Sequence, residues 1–156
     1  MGIPSRLKKF LLKKSRFAYN DGNYSKSKIY SRISQLFFRD KETLDILARS
    51  YLRLNNYRQA SKKYNLAKKR GFKLLDHSVN HFKSEIGNNN FVSAYKIMKT
   101  SSNDIQKDLN HRLIKSLNNL TDSERVNEIE EMEKFAPLPK DIAKLLPWST
   151  KLGSFS

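Results

Sequence analysis

The 156-residue chain contains no cysteine. That excludes a disulfide framework, a thiolate metal site and a thiol nucleophile, and it fits a reducing compartment. Glycine (5) and proline (4) are scarce, which argues for long helices joined by short turns and against a β sandwich. No apolar run approaches the roughly 18 residues of a transmembrane helix. Near the N-terminus only Phe10, Leu11 and Leu12 form a contiguous apolar block, too short for a signal-peptide core. Arg6 stands where a myristoylation signal needs Ser or Thr. The expected location is therefore cytoplasmic, peripheral attachment to the inner face of the membrane included.

Catalytic patterns are missing too. Gly22 and Gly87 stand singly, so no glycine-rich loop cradles phosphate, and no G-x-S-x-G elbow presents a nucleophile. His77, His81 and Glu85 have helical i, i+4 spacing, which is compatible with a metal, but no further ligand is evident and packing is the commoner role. No enzyme, no cofactor and no metal are expected. RNP-type aromatics, a KH-type GxxG loop and zinc-finger spacing are also missing, so base-specific nucleic-acid reading lacks support.

What the chain has is positive charge, placed unevenly. Of the formal net charge of +16, all lies in residues 1–75, which hold 20 Lys or Arg against Asp21, Asp40, Glu42 and Asp45. Residues 76–156 hold 11 of each sign. Such asymmetry points to a polyanionic partner meeting the N-terminal half. Apolar residues at 38% suffice for one domain's core. The frequent Lys, Asn, Ile and Ser suggest a bacterial source.

The chain also repeats. Tyr24, Tyr57 and Phe91 stand 33 and 34 residues apart, and the same offsets relate Ser27, Ala60 and Ala94; Ser31, Tyr64 and Met98; and Ser34, Ala67 and Ser101. Each set follows a polar turn, NDGN, NN or GNNN. The pattern is a helix, a tight turn, an aromatic residue, and a second helix with small residues on one face.

Leu47, Ala48, Tyr51, Tyr57, Ala60, Tyr64 and Ala67 fall at the signature spacing of the tetratricopeptide repeat, which the middle copy resembles. This sequence has Ala48 where the family usually has Gly and Phe72 where it usually has Pro. The outer copies depart further, with Ser15, Ser27 and Ser34 in one, and Phe82 and Glu85 in the other. The resemblance covers about residues 5–102. It implies an all-α fold of antiparallel hairpins stacked as a short α-solenoid, with C-terminal capping helices.

The expected organisation is repeats over residues 1–102, capping helices over 103–148, and a linker or tail over 149–156. Ile105, Leu109, Leu113, Leu117 and Leu120 recur at helical intervals. Thr121 and Glu124 read as a capping box for a helix ending near Phe135. Asp141 starts a short helix that Pro147 ends. Glu128, Glu130, Glu131 and Glu133 form an acidic helix face, and Trp148 is expected to anchor the last helix.

In that repeat family the first helices line a concave groove. The resemblance places Arg16, Arg49 and Lys83 in one column, with Lys9, Lys13 and Arg53 nearby and Tyr19, Leu52 and Ile86 as the apolar part. Such cations suit carboxylate or phosphate. The second helices carry Lys26, Lys28, Arg32, Arg58, Lys62, Lys63, Lys68, Lys69 and Arg70, expected on the convex side. The N-terminal helix is amphipathic, and Leu7, Phe10 and Leu11 are its expected membrane-facing residues, unless that face packs on the next helix.

The favoured expectation is thus a noncatalytic targeting module held on an anionic membrane through a basic surface. It would hold a protein partner or a catalytic domain fused downstream, by analogy with enzymes that build cell-envelope polymers such as teichoic acid or capsule. The alternatives are nonspecific nucleic-acid binding through phosphate contacts and capture of acidic peptides in the groove.

Overall fold

A computed structural model describes residues 3–147. Trp148 and the expected tail from 149 lie outside the described residues. Among the described residues there are helices and no strands: α1 (Ile3–Asn20), α2 (Tyr24–Phe37), α3 (Lys41–Arg53), α4 (Tyr57–Lys69), α5 (His77–Gly87), α6 (Phe91–Lys99), α7 (Asn103–Leu117), α8 (Asp122–Phe135) and α9 (Lys140–Ala143). Consecutive hairpins make this an all-α, helical-repeat arrangement.

The turns carry the repeat in their backbone. Gly22, Asn55 and Asn89 are left-handed, with φ of 79°, 57° and 59°. These positions are 33 and 34 residues apart. Only Gly, or Asn with its short amide, adopts this conformation cheaply. Asn23, Asn56 and Asn90 then hold nearly one backbone conformation, with ψ of 75°, 73° and 70°. The Asn23 and Asn56 side chains cap α2 and α4 by accepting from the N–H of Lys26 and of Gln59. Asn23 and Asn56 also donate their own N–H to Ala18 and Tyr51, both at 2.9 Å, closing the preceding helix with a Schellman-type bond.

The chain divides into two compact units, Met1–Asn88 and Asn89–Ser156. The division falls inside the third hairpin rather than after residue 102. The reason is visible in α6, whose Phe91, Ala94, Tyr95 and Met98 are buried and which packs on α7 and α8.

In the first unit α1 packs on α2, α2 on α3, α3 on α4 and α4 on α5, while α1, α3 and α5 lie side by side. The repeat columns predicted from the sequence are its core. Ser15, Ala48 and Phe82 are buried, as are Ser27 and Ala60, Ser34 and Ala67, and Ala18, Tyr51 and Glu85. Small side chains let the helices approach closely. At the α1–α2–α3 junction, Ser27 donates to the Ser15 carbonyl at 3.0 Å and Ser50 donates to the Ser27 hydroxyl at 3.1 Å.

The end of α5 meets the start of α4 with no spare room, since a Cβ added at Gly87 would fall inside the Tyr57 ring. Glu85 is buried among neighbours that use it: Ser61 donates to its carboxylate and His81 Nε2 lies 3.4 Å away. The His81 ring stacks on Tyr64 at 5.8 Å.

In the second unit Leu109, Leu113 and Leu117 of α7, Ile129 and Met132 of α8, and Ile142 of α9 are buried. The Thr121–Glu124 capping box starts α8. Arg125 closes the preceding helix end, donating to the carbonyls of Leu117 and Leu120, each at 3.0 Å. Tyr95 donates to the Pro137 carbonyl at 2.7 Å, which fixes the proline-rich connector before α9.

Candidate anionic-surface interface

The interface is built on α2, whose sides are reversed for a water-soluble helix. Its buried face is Ser27, Ser31 and Ser34. Their hydroxyls are satisfied internally, Ser31 on the Ser27 carbonyl at 2.7 Å and Ser34 on Asp40 Oδ1 at 3.4 Å. Its outward side carries Ile29, Ile33, Leu36 and Phe37, with Ile29 53%, Leu36 79% and Phe37 66% exposed. Ile29, Ile33 and Leu36 are spaced i, i+4, i+7, one stripe on a helix. Lys26 and Arg32 are exposed on the same helix.

The corresponding positions on α4, one repeat later, are Lys62, Leu66, Lys69 and Arg70. An apolar ridge on α2 thus has a cationic counterpart on α4. Sequence reasoning picked out the cations and missed the ridge. The signal was available, because the repeat register that buries Ala60 and Ala67 buries Ser27 and Ser34 and turns the isoleucines outward.

Between α2 and α4, over α3, opens a cleft of about 290 Å³ lined by Arg32, Gln35, Leu36, Leu44, Leu47, Lys63, Leu66 and Arg70. Burial, with Arg32, Lys62 and Arg70 nearby, pushes the Lys63 ammonium below its ordinary pKa. The structure therefore gathers three predicted cations, Arg32, Lys63 and Arg70. Lys26, Arg58, Lys62, Lys68 and Lys69 are exposed outside the cleft and Lys28 is half-buried.

The expected groove is only partly assembled. Arg16 on α1, Arg49 on α3 and Lys83 on α5 sit on neighbouring helices. Lys9, Lys13 and Arg16 are exposed. Arg49, however, pairs with Asp45 at 3.2 Å and lies 4.6 Å over the Tyr19 ring. Its charge is already answered within the fold. Burial raises the Asp45 pKa, against the lowering effect of Arg49. Arg53 lies 5.6 Å over Tyr24.

Of the expected membrane-facing residues, Phe10 and Leu7 are exposed but Leu11 is 4% exposed. Leu11 is a core residue. It lies one repeat before Leu44 and, like it, faces inward, aligned with Ser15 and Ala18. Phe17, on the flank shared with Phe10, is exposed instead. Among the described residues no helix is long and apolar enough to cross a membrane. No set of three His, Asp or Glu there is placed to hold a metal. His81 and Glu85 are buried together while His77 is exposed.

The fold and surface thus define a helical-repeat protein whose N-terminal unit is basic. Compared with family models, curated proteins and solved structures, the chain matches none.

Proposed function

We propose that this chain is a noncatalytic interaction module of the tetratricopeptide type, which docks on an anionic membrane surface through the outward sides of α2 and α4. The observation that carries the reading is the reversal of α2. Three serines inside and four large apolar residues outside leave an apolar stripe with no cover among the described residues. An interfacial helix has an apolar stripe flanked by Lys and Arg, and both kinds of residue contribute to binding. In this role the module holds a partner, or a catalytic domain fused after it, at the membrane where a cell-envelope polymer is assembled.

Sedimentation with liposomes tests the reading. Binding to anionic vesicles, weak binding to neutral ones, and a fraction that survives high salt are expected. Loss of all binding at modest salt would leave a purely electrostatic surface and favour nucleic acid, whose phosphate contacts are salt-sensitive throughout.

A further inference from the structure

The cleft between α2 and α4 differs from the rest of the basic surface in being built. Its floor is Leu44 and Leu47, both buried, with Leu66 and Leu36 at its sides. Three cations border it. Among the described residues no carboxylate pairs with Arg32, Lys63 or Arg70.

Asp40, just past the end of α2 and beside the cleft residue Gln35, is occupied. Asp40 caps α3, accepting from the Thr43 N–H at 3.0 Å and the Thr43 hydroxyl at 2.6 Å. Gln35 is held by donating to the Asp40 carbonyl at 2.8 Å and to the Thr43 hydroxyl at 2.7 Å. That leaves its side-chain oxygen to accept from Arg70 at 3.4 Å. A polar relay from the α3 cap thus orients one wall of the cleft.

We propose that Arg32, Lys63 and Arg70 form a binding site for the phosphomonoester headgroup of an anionic lipid, whose first methylenes lie on Leu36 and Leu66. A phosphomonoester carries between about one and a half and two negative charges at neutral pH and three acceptor oxygens. Two guanidinium forks and one ammonium match that number of oxygens, and Arg engages phosphate through two parallel N–H bonds. A diester offers one charge and fewer free oxygens. The apolar floor gives a sugar phosphate nothing to replace its lost water, whereas it suits a lipid's glycerol and acyl carbons. Leu36 belongs to both the cleft and the outward stripe of α2, so a headgroup here stays continuous with a bilayer. The ligand's source rests on the membrane reading; the chemistry of the site does not.

The test is calorimetric titration of the full chain with dihexanoyl phosphatidic acid below its micelle concentration. Dihexanoyl phosphatidylcholine and inorganic phosphate are titrated alongside. Saturable binding of the phosphatidic acid is expected, at least about tenfold tighter than either control. K63Q and the double variant R32Q/R70Q should each weaken it about tenfold or more, while K69Q, which removes a cation outside the cleft, should leave phosphatidic acid binding within about threefold of the unaltered chain. Inorganic phosphate binding as tightly as the lipid would overturn the lipid assignment in favour of a free-phosphate site. Absence of saturable binding, or indifference to both variants, would overturn the site itself. Phosphatidic acid binding without vesicle binding would sustain the site and sink the membrane reading. Vesicle binding without phosphatidic acid binding would do the reverse.

Discussion

The substitution Leu36→Ser separates an inserting apolar ridge from a merely basic surface. Leu36 is 79% exposed, so the fold gains little from its side chain. Fully burying a leucine is worth about 1.5–3 kcal/mol. Scaled to the exposed part, insertion of Leu36 into the bilayer interface contributes about 1.2–2.4 kcal/mol. At about 1.4 kcal/mol per factor of ten, the variant should bind anionic vesicles about 7- to 50-fold more weakly. Removing one cation from the surface, for instance by Lys69→Gln, costs about 1 kcal/mol, and that loss should shrink as salt rises. The Leu36→Ser loss should persist at high salt, because burial of apolar area is not screened. The assay is a vesicle partition series at several salt concentrations, with urea unfolding of the same samples. Stability within about 0.5 kcal/mol of the parent is expected, as for most exposed substitutions. An unchanged vesicle affinity with intact folding would refute insertion by α2, and the ridge would then need another partner.

Gly87→Ala forces a methyl into the Tyr57 ring and should destabilise the first unit by about 1–3 kcal/mol in urea melts. Gly22→Ala, at a position with open space around it but φ of 79°, should cost only about 1–2 kcal/mol through backbone strain. Glu85→Ala removes the acceptor for Ser61 and the carboxylate beside His81. A loss of about 3 kcal/mol is expected, and stability near the parent's would show that the cluster contributes nothing. Lys63 has a lowered pKa through burial and the nearby Arg32, Lys62 and Arg70, so the folded chain binds fewer protons than the unfolded one between that lowered pKa and 10.5. Stability should therefore rise with pH across that window, and solvent screening at this partly exposed site keeps the rise small. Lys63→Gln should be slightly more stable than the parent near pH 7 and should lack that rise; equal pH profiles would refute the cause.

The sequence alone determined where the helices turn and which columns are buried. The reason is local: a left-handed Gly or Asn, an Asn cap and an aromatic residue recur at one period, and small residues at that period can only face a neighbouring helix. The Thr121–Glu124 capping box and the break at Pro137 were legible on the same grounds. Leu11 shows the limit of reading one helix in isolation. Amphipathicity said that it lies on an apolar side, but three side chains around a helix can each claim that description. Only the packing of α1 on α2 sends Leu11 inward and leaves Phe10 and Phe17 exposed.

Charge was legible as a sum and not as a place. Residues 1–75 announced their excess of cations. Folding decided that Arg49 is answered by Asp45 and Tyr19, while Arg32, Lys63 and Arg70, on separate helices or their ends, share one cleft. Residues 31 and 38 positions apart in the chain have no sequence signal for meeting, because their contact is set by how α2 and α4 each pack on α3. The tertiary structure also turned three serines inward and the isoleucines outward on α2, and so gave the basic half of the chain its apolar ridge.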